Sequence, residues 1–268
     1  MKKYRKEIFI AASFVLVCVA LILFDGTIFR ILPDERADGM LQETVSRFAS
    51  ALFLVPLILL AGEKKSLTGR SERFLHAIFW CLPCLLVCVA NFPFSALLSG
   101  EAKIERMDLL WLFLLKCLSI GLMEEFAFRA LILPLLLESF PKRGELFSVL
   151  VSSALFGGWH ILNLFGGASF GATVLQVGYS FLIGVMLSAV FLRTGNVWMC
   201  VLLHALFDVG GLLVQSIGSG PFQDTLFWVF TVLAGIACTC HVAAFLLRRE
   251  KKRRERERTE NEENCMTK

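Results

Sequence analysis

The sequence predicts an all-α polytopic membrane helix bundle with about eight transmembrane helices, and three observations support this fold class. The chain has 268 residues, of which 56% are hydrophobic and 19% charged, and its mean hydropathy is +0.69. A soluble domain usually has about 45–50% apolar and about 25% charged residues. The apolar residues are gathered into long runs, and the basic residues stand mostly at the ends of these runs. Together these features exclude a soluble globular enzyme, a nucleic-acid-binding domain and a disordered protein.

Each predicted span is an apolar run near the length of about 20 residues that a membrane-crossing helix needs. The runs are 8–24, 46–62, 74–98, 109–123, 146–164, 173–192, 197–214 and 225–247. We interpret the first run as an uncleaved span, because Asp25 follows it where a signal peptide would carry small residues. One further apolar stretch, 126–137, either extends the fourth helix or forms a separate half-helix.

The distribution of basic residues predicts the orientation of the chain. With the N-terminus inside, 21 of the 27 lysine and arginine residues fall on the inner side and 5 on the outer side, while Lys116 lies within a span. This bias follows the positive-inside rule. We therefore expect both termini to be cytoplasmic, with a transmembrane domain over 1–247. Residues 248–268 are then a charged cytosolic tail that forms a solvated helix extension.

Ionisable side chains within spans are costly and are therefore functional hypotheses. The motif EEFAFR at 124–129 places Glu125 and Arg129 four residues apart on one helical face, a spacing that favours an ion pair. Glu124 lies about 100° further round the helix and is free to face a different neighbour. One carboxylate can thus be structural while the other is chemical.

Two further motifs contribute imidazoles. Phe156 and His160 share a helix face in the segment FGGWH, whose two glycines permit close approach by another helix or a substrate. His204 and Asp208 are four residues apart in HALFD, so that the carboxylate is placed to orient the imidazole. With Glu124, these groups lie on three separate spans. Their convergence on an active site explains why several costly polar groups are retained in apolar segments.

The three motifs resemble those of the CPBP family of intramembrane proteases. Glu-Glu-x-x-x-Arg, Phe-x-x-x-His and His-x-x-x-Asp spacings occur in this order within 123–208. That family contains the type II CAAX prenyl endopeptidases and bacterial relatives linked to bacteriocin processing and self-immunity. The resemblance implies an eight-helix bundle whose site opens toward the cytosol, and we expect the plasma membrane of a bacterium as its location.

The resemblance also implies a role for each motif residue. Glu124 would act as the general base on water with His160 assisting, while His204 and the residue at 208 would stabilise the oxyanion. Many family members carry Asn at that last position, whereas this chain has Asp208. An ionised Asp cannot donate a hydrogen bond to an oxyanion. The residues that would support the first motif are Glu125 and Arg129.

Two chemistries fit these residues, and the sequence leaves both open. In the first, Glu124 removes a proton from water while His204 donates to the developing oxyanion. In the second, a bound Zn²⁺ supplies the nucleophilic water. Its ligands would come from Glu124, His160, His204 and Asp208. The sequence has no His-Glu-x-x-His motif of the usual zinc proteases, so the cofactor expectation is none or one Zn²⁺.

The predicted partners are membrane lipids and a membrane-embedded or lipidated peptide or protein substrate, with no nucleic acid. The alternative is a non-catalytic membrane immunity or scaffold protein that binds a peptide in the same cavity. A small transporter that uses the carboxylates as a proton relay is a third interpretation. Transport is disfavoured because the sequence shows neither an internal repeat nor paired Gly/Pro-broken helices in matching halves.

Overall fold

The computed structural model describes residues 31–69 and 74–266, together with Ala12. Helices dominate this part of the chain, which confirms the all-α bundle. The predicted first span, 8–24, lies outside the described residues. In chain order the α-helices are α1 Glu35–Leu60, α2 Lys64–Thr68, α3 Phe74–Trp80, α4 Leu82–Ala90, α5 Phe94–Ser99, α6 Leu110–Glu125, α7 Leu133–Ser139, α8 Glu145–Trp159, α9 Phe170–Thr194, α10 Val197–Ile217 and α11 Thr225–Met266.

Five helical segments within the described residues are long and apolar enough to cross a membrane. They are Glu35–Leu60, Glu145–Leu164, Phe170–Thr194, Val197–Ile217 and Thr225–Glu260. Each overlaps one of the predicted runs, which supports an integral membrane protein. The count of eight crossings stays a prediction.

The predicted span 74–98 is not one continuous helix, and this boundary is corrected. Its residues form α3, α4 and α5. Pro83 lies in the first turn of α4, and Pro93 directly precedes α5. Proline has no N–H to donate and its ring clashes with the carbonyl of the preceding turn, so it interrupts a helix. Hydropathy indicates that this stretch is apolar, but it does not indicate where the helix is interrupted.

A polar cluster fixes the start of α1. The Asp34 carboxylate accepts a hydrogen bond from the Ala37 N–H at 2.8 Å, which is an N-cap. Arg106 lies 2.8 Å from both Asp34 and Asp108, and it ties this cap to the chain just before α6. The Ala37 N–H and the Arg106 guanidinium hold the pKa of Asp34 below its ordinary value. The helix therefore begins at Glu35, several polar turns before the apolar run that predicted it.

Two close backbone contacts bring the motif helices together. α6 meets α10 at Gly121, where an added Cβ would lie 3.1 Å from the Val201 carbonyl oxygen. α8 meets α9 at Gly157, where an added Cβ would lie 2.8 Å from the Val177 carbonyl oxygen. Glycine allows such an approach because it has no side chain. The close neighbour that the sequence predicted at Gly157 is thus another helix.

A short antiparallel ladder joins the two helices that carry most of the site. Strand β1 is Lys103–Ile104 and strand β2 is Gly218–Ser219, with Lys103 opposite Ser219. β1 lies shortly before α6, and β2 directly follows α10. The ladder therefore fixes the approach to α6 against the end of α10.

The charged tail continues the last helix. α11 runs without interruption from the apolar stretch to Met266, as expected for a helix extension. Arg249 Nη2 donates to Glu145 Oε1 at 2.6 Å and so ties the start of the tail to the first turn of α8. A domain boundary at 247 stays a prediction, because the backbone itself does not change conformation there.

Candidate active site

The end of α6 carries both acidic residues of the first motif. Glu124 and Glu125 complete α6, and a π-helical segment, Phe126–Ile132, leads directly into α7. The stretch 126–137 therefore extends the fourth predicted helix. Pro134 has no N–H to donate to the preceding turn, and π-helical turns recur at functional sites. Glu124 stands near the middle of this long helical run.

Glu125 and Arg129 form the predicted ion pair. Arg129 Nη1 lies 2.7 Å from Glu125 Oε1, and both side chains are 0% exposed. Arg129 Nη2 donates to the Gly184 carbonyl oxygen at 3.2 Å. The guanidinium carbon also lies 4.4 Å from the centre of the Phe156 ring. The pair thus joins the π-helical segment to α8 and α9, which supports the structural role predicted for it.

The His204 imidazole is held by Glu125 rather than by Asp208. His204 Nδ1 lies 2.7 Å from Glu125 Oε1, a hydrogen bond that places the proton on Nδ1 because a carboxylate only accepts. Asp208 Oδ2 instead lies 3.6 Å from His204 Nε2, which is too long for a hydrogen bond. Asp208 is thus in ionic contact with His204, as the spacing predicted, while the hydrogen bond that orients the imidazole comes from Glu125. Glu124 Oε2 lies at the same distance of 3.6 Å from Nε2.

Phe156 is an aromatic centre between the two imidazoles. Its ring centre lies 5.4 Å from that of His160 and 5.8 Å from that of His204, both in edge-to-face geometry. His160 Nδ1 lies 3.1 Å from the Phe156 carbonyl oxygen. Because a carbonyl oxygen only accepts, this hydrogen bond uses a protonated Nδ1 and leaves Nε2 of a neutral imidazole free to accept. His160 is thus linked to His204 through Phe156, which contacts both imidazoles.

Three carboxylate oxygens of the site have no hydrogen bond. Glu124 Oε2, Glu125 Oε2 and Asp208 Oδ2 are buried and lack a hydrogen-bond partner among the residues that the structure describes. A buried acceptor without a partner carries a desolvation cost, so these atoms are suited to receive a proton or a ligand.

The predicted Zn²⁺ ligands do not form a metal-binding group as they are placed. Across 31–69 and 74–266, no group of three or more His, Cys, Asp or Glu side chains is arranged to hold a metal ion. Both Nδ1 atoms of the motif histidines are engaged, in contacts with Glu125 and with the Phe156 carbonyl. These contacts leave both Nε2 atoms free, and similar contacts orient metal-bound histidines, so the metal-free mechanism stays a prediction.

Sequence reasoning missed the contact of Glu125 with His204 and the central position of Phe156. Both join different helices, and a four-residue spacing reports only on neighbours within one helix. Lys116, which lies within a predicted span, is paired with a carboxylate, because its Nζ lies 2.9 Å from Glu43 Oε2.

These features define an integral membrane helix bundle with a buried site of carboxylates and imidazoles on three helices. Residues 106–210 match the family model described as type II CAAX prenyl endopeptidase Rce1-like. The match covers 105 of the 268 residues, and it supports the resemblance to the CPBP family that the three motifs predicted. The matched segment contains Glu124, His160, His204 and Asp208. No curated protein and no solved structure matches the chain.

Proposed function

We propose that the chain is an intramembrane endopeptidase that hydrolyses a peptide bond of a membrane-associated or lipidated peptide or protein. The strongest support is the position of Glu124 Oε2. This buried oxygen has no hydrogen bond to the described residues, and it lies 3.6 Å from His204 Nε2. An ionised carboxylate can accept a proton from water, and an imidazole N–H can donate to an oxyanion. The match of residues 106–210 to a family model of type II CAAX prenyl endopeptidases favours the same reaction.

In the proposed reaction, Glu124 Oε2 takes a proton from a water molecule, and the resulting hydroxide attacks the substrate carbonyl carbon. The carbonyl oxygen becomes an oxyanion and accepts a hydrogen bond from Nε2–H of His204, which is an imidazolium at this step. The proton on Glu124 then passes to the leaving nitrogen as the C–N bond breaks. The products are a new carboxyl terminus and a new amine.

Neighbouring residues position these groups in the proposed mechanism. Glu125 holds the Nδ1 proton of His204 and so directs Nε2 toward Glu124. Arg129 supplies the counter-charge that the buried Glu125 carboxylate needs. His160 presents its free Nε2 as an acceptor that can orient the attacking water.

The test is cleavage of two fluorogenic peptides by purified protein in liposomes. One peptide ends in a farnesylated CAAX sequence, and the other has the same sequence anchored by an apolar helix. We expect the wild type to cleave at least one of them in H₂¹⁸O with ¹⁸O entering the new carboxyl group. Glu124→Gln should lower the rate by at least about 100-fold, whereas Glu101→Gln, an exposed site away from α6, should not. Equal rates for the wild type and Glu124→Gln would contradict the proposal.

We also propose that both termini face the cytoplasm of a bacterial cell. The support is the excess of basic residues on the proposed inner side. Single cysteines introduced at the exposed positions Glu101 and Thr259, in a chain whose own cysteines are replaced, test the orientation with a membrane-impermeant reagent. The cysteine at 101 should react from outside intact cells and the cysteine at 259 only after lysis. The opposite pattern would contradict the orientation.

A further inference from the structure

The last helix, α11, turns one row of side chains toward the rest of the bundle. The members of this row are buried and four residues apart, and they are Ala234, Cys238, Val242, Leu246 and Glu250. Residues four apart share a helix face, whereas residues offset by two lie nearly opposite. The row that is offset by two residues therefore faces away from the bundle.

This opposite row, which we call the lipid-facing row, is exposed and changes from apolar to basic along the helix. Its apolar members are Val232, Ile236, Cys240 and Ala244. The next three members, also exposed, are Arg248, Lys252 and Arg256. The face that meets the acyl chains thus continues as three cations. The following member, Glu260, lies about 18 Å beyond Arg248 along the helix axis.

Carboxylates neutralise other basic residues of the tail but not these three. The ion pairs are Arg249 with Glu145, Arg253 and Arg254 with Glu250, Lys251 with Glu255, and Arg258 with Glu262. Arg248, Lys252 and Arg256 have no ion pair with any residue that the structure describes. Their charges are therefore available to an external anion.

The positions of the three cations match the depth of the lipid headgroups. The apolar run ends at Leu247, and Arg248 is the first charged residue after it. The headgroup layer is about 5–7 Å thick on each side of a bilayer. With a rise of about 1.5 Å per residue, Lys252 lies about 6 Å and Arg256 about 12 Å beyond Arg248. Long basic side chains can bend back toward the headgroups, so all three can act on this layer.

Contacts with the start of α8 fix the rotation of α11 at this level. Arg249 Nη2 donates to Glu145 Oε1 at 2.6 Å. Directly before α8, Gly144 packs against the buried row, since an added Cβ there would lie 2.7 Å from Glu250 Oε2. Because the helix is held on this side, the basic part of the lipid-facing row stays turned away from the bundle.

We propose that Arg248, Lys252 and Arg256 form a binding surface for the headgroups of anionic phospholipids. Guanidinium and ammonium groups donate hydrogen bonds to phosphate oxygens and balance their charge. The acyl chains of the same lipids then lie along the apolar part of the lipid-facing row. This inference goes beyond the endopeptidase function and holds independently of it.

The test measures which lipid lies beside Cys240, an exposed member of the lipid-facing row two turns before Arg248. Cys18 and Cys265 are replaced by alanine, and the other cysteines whose side chains the structure describes are buried, so a fluorophore attaches to Cys240. The full chain is reconstituted in vesicles of phosphatidylcholine and phosphatidylglycerol. Bromine on the acyl chains of one lipid or of the other quenches the fluorophore, and the two quenching values give the local composition.

We expect phosphatidylglycerol to be enriched about fivefold beside Cys240 relative to the bulk bilayer. Replacing Arg248, Lys252 and Arg256 together with glutamine should reduce this enrichment to less than about twofold. These positions are exposed, so folded yield should equal that of the parent chain. A local composition equal to that of the bulk in the parent chain would overturn the inference.

The matched control removes the same number of charges from residues that have carboxylate partners. Lys251, Arg254 and Arg258 are replaced together with glutamine, each within three residues of its counterpart. This variant should keep most of the enrichment. Equal losses in the two triple variants would mean that net charge alone attracts the lipid, and would overturn the inference.

A last arm separates a lipid headgroup from a soluble anion. Replacing the chloride of the buffer with inorganic phosphate at equal ionic strength should leave the enrichment unchanged. Displacement of phosphatidylglycerol by the phosphate would assign the cations to a soluble anion and would also overturn the inference.

Discussion

Replacing Arg129 with alanine removes the counter-charge of Glu125 inside the bundle. The two groups are 2.7 Å apart and neither is exposed, so the carboxylate cannot regain contact with water. Removing one partner of a buried ion pair typically costs about 3–5 kcal/mol. The guanidinium also lies 4.4 Å from the centre of the Phe156 ring, and a desolvated contact of this kind is worth about 2 kcal/mol. Because such contributions are not additive, we expect the free energy of unfolding to fall by about 3–5 kcal/mol in total.

The assay is unfolding of purified protein in mixed detergent micelles with an increasing fraction of sodium dodecyl sulfate, followed by circular dichroism. Glu124→Gln is the matched control, since it changes the adjacent carboxylate with almost no change in shape. Its Oε2 has no hydrogen-bond partner among the described residues, so stability should change by less than about 1 kcal/mol. Arg129→Met combined with Glu125→Gln removes both charges and should cost less than Arg129→Ala. Wild-type stability for Arg129→Ala would refute the assignment of this pair as structural.

Three further predictions concern packing, pH and the metal question. Gly157→Ala should lower the free energy of unfolding by about 1–3 kcal/mol, because its Cβ would lie 2.8 Å from a carbonyl oxygen; Gly158→Ala, with nothing within 4 Å, should be neutral or stabilising. The depressed pKa of Asp34 stabilises the fold above about pH 4 and this contribution is lost as the pH falls further. The unfolding midpoint of Asp34→Asn, which keeps a capping side chain, should therefore change less between pH 7 and pH 3 than that of the wild type. Asp208→Asn should keep most activity and a chelator should leave the wild type active, whereas one tightly bound metal ion per chain and inactivation by chelation would contradict the metal-free mechanism.

The helical class and the contacts within single helices could be predicted from the sequence. The pairing of Glu125 with Arg129 follows from a four-residue spacing, and it forms even though the segment after Glu125 is π-helical. The contact of Glu125 with His204 joins α6 to α10. It depends on how closely these helices approach at Gly121, and no spacing along one helix contains that information.

The ends of the helices show the same limit of prediction from sequence. Hydropathy identifies the apolar part of a helix but not where hydrogen bonding begins or ends. Asp34 starts α1 through a capping hydrogen bond ahead of the apolar run. Pro83 and Pro93 divide a single apolar run into shorter helices.

The central claim is that Glu124 drives hydrolysis of a peptide bond in a membrane-associated substrate. It is tested most directly by quantitative mass spectrometry of membrane and secreted peptides from cells that express the wild type or Glu124→Ala at matched levels of folded protein. We predict a set of cleaved peptides that appears with the wild type, while its uncleaved precursors accumulate with Glu124→Ala. Identical peptide profiles in the two strains would contradict the claim.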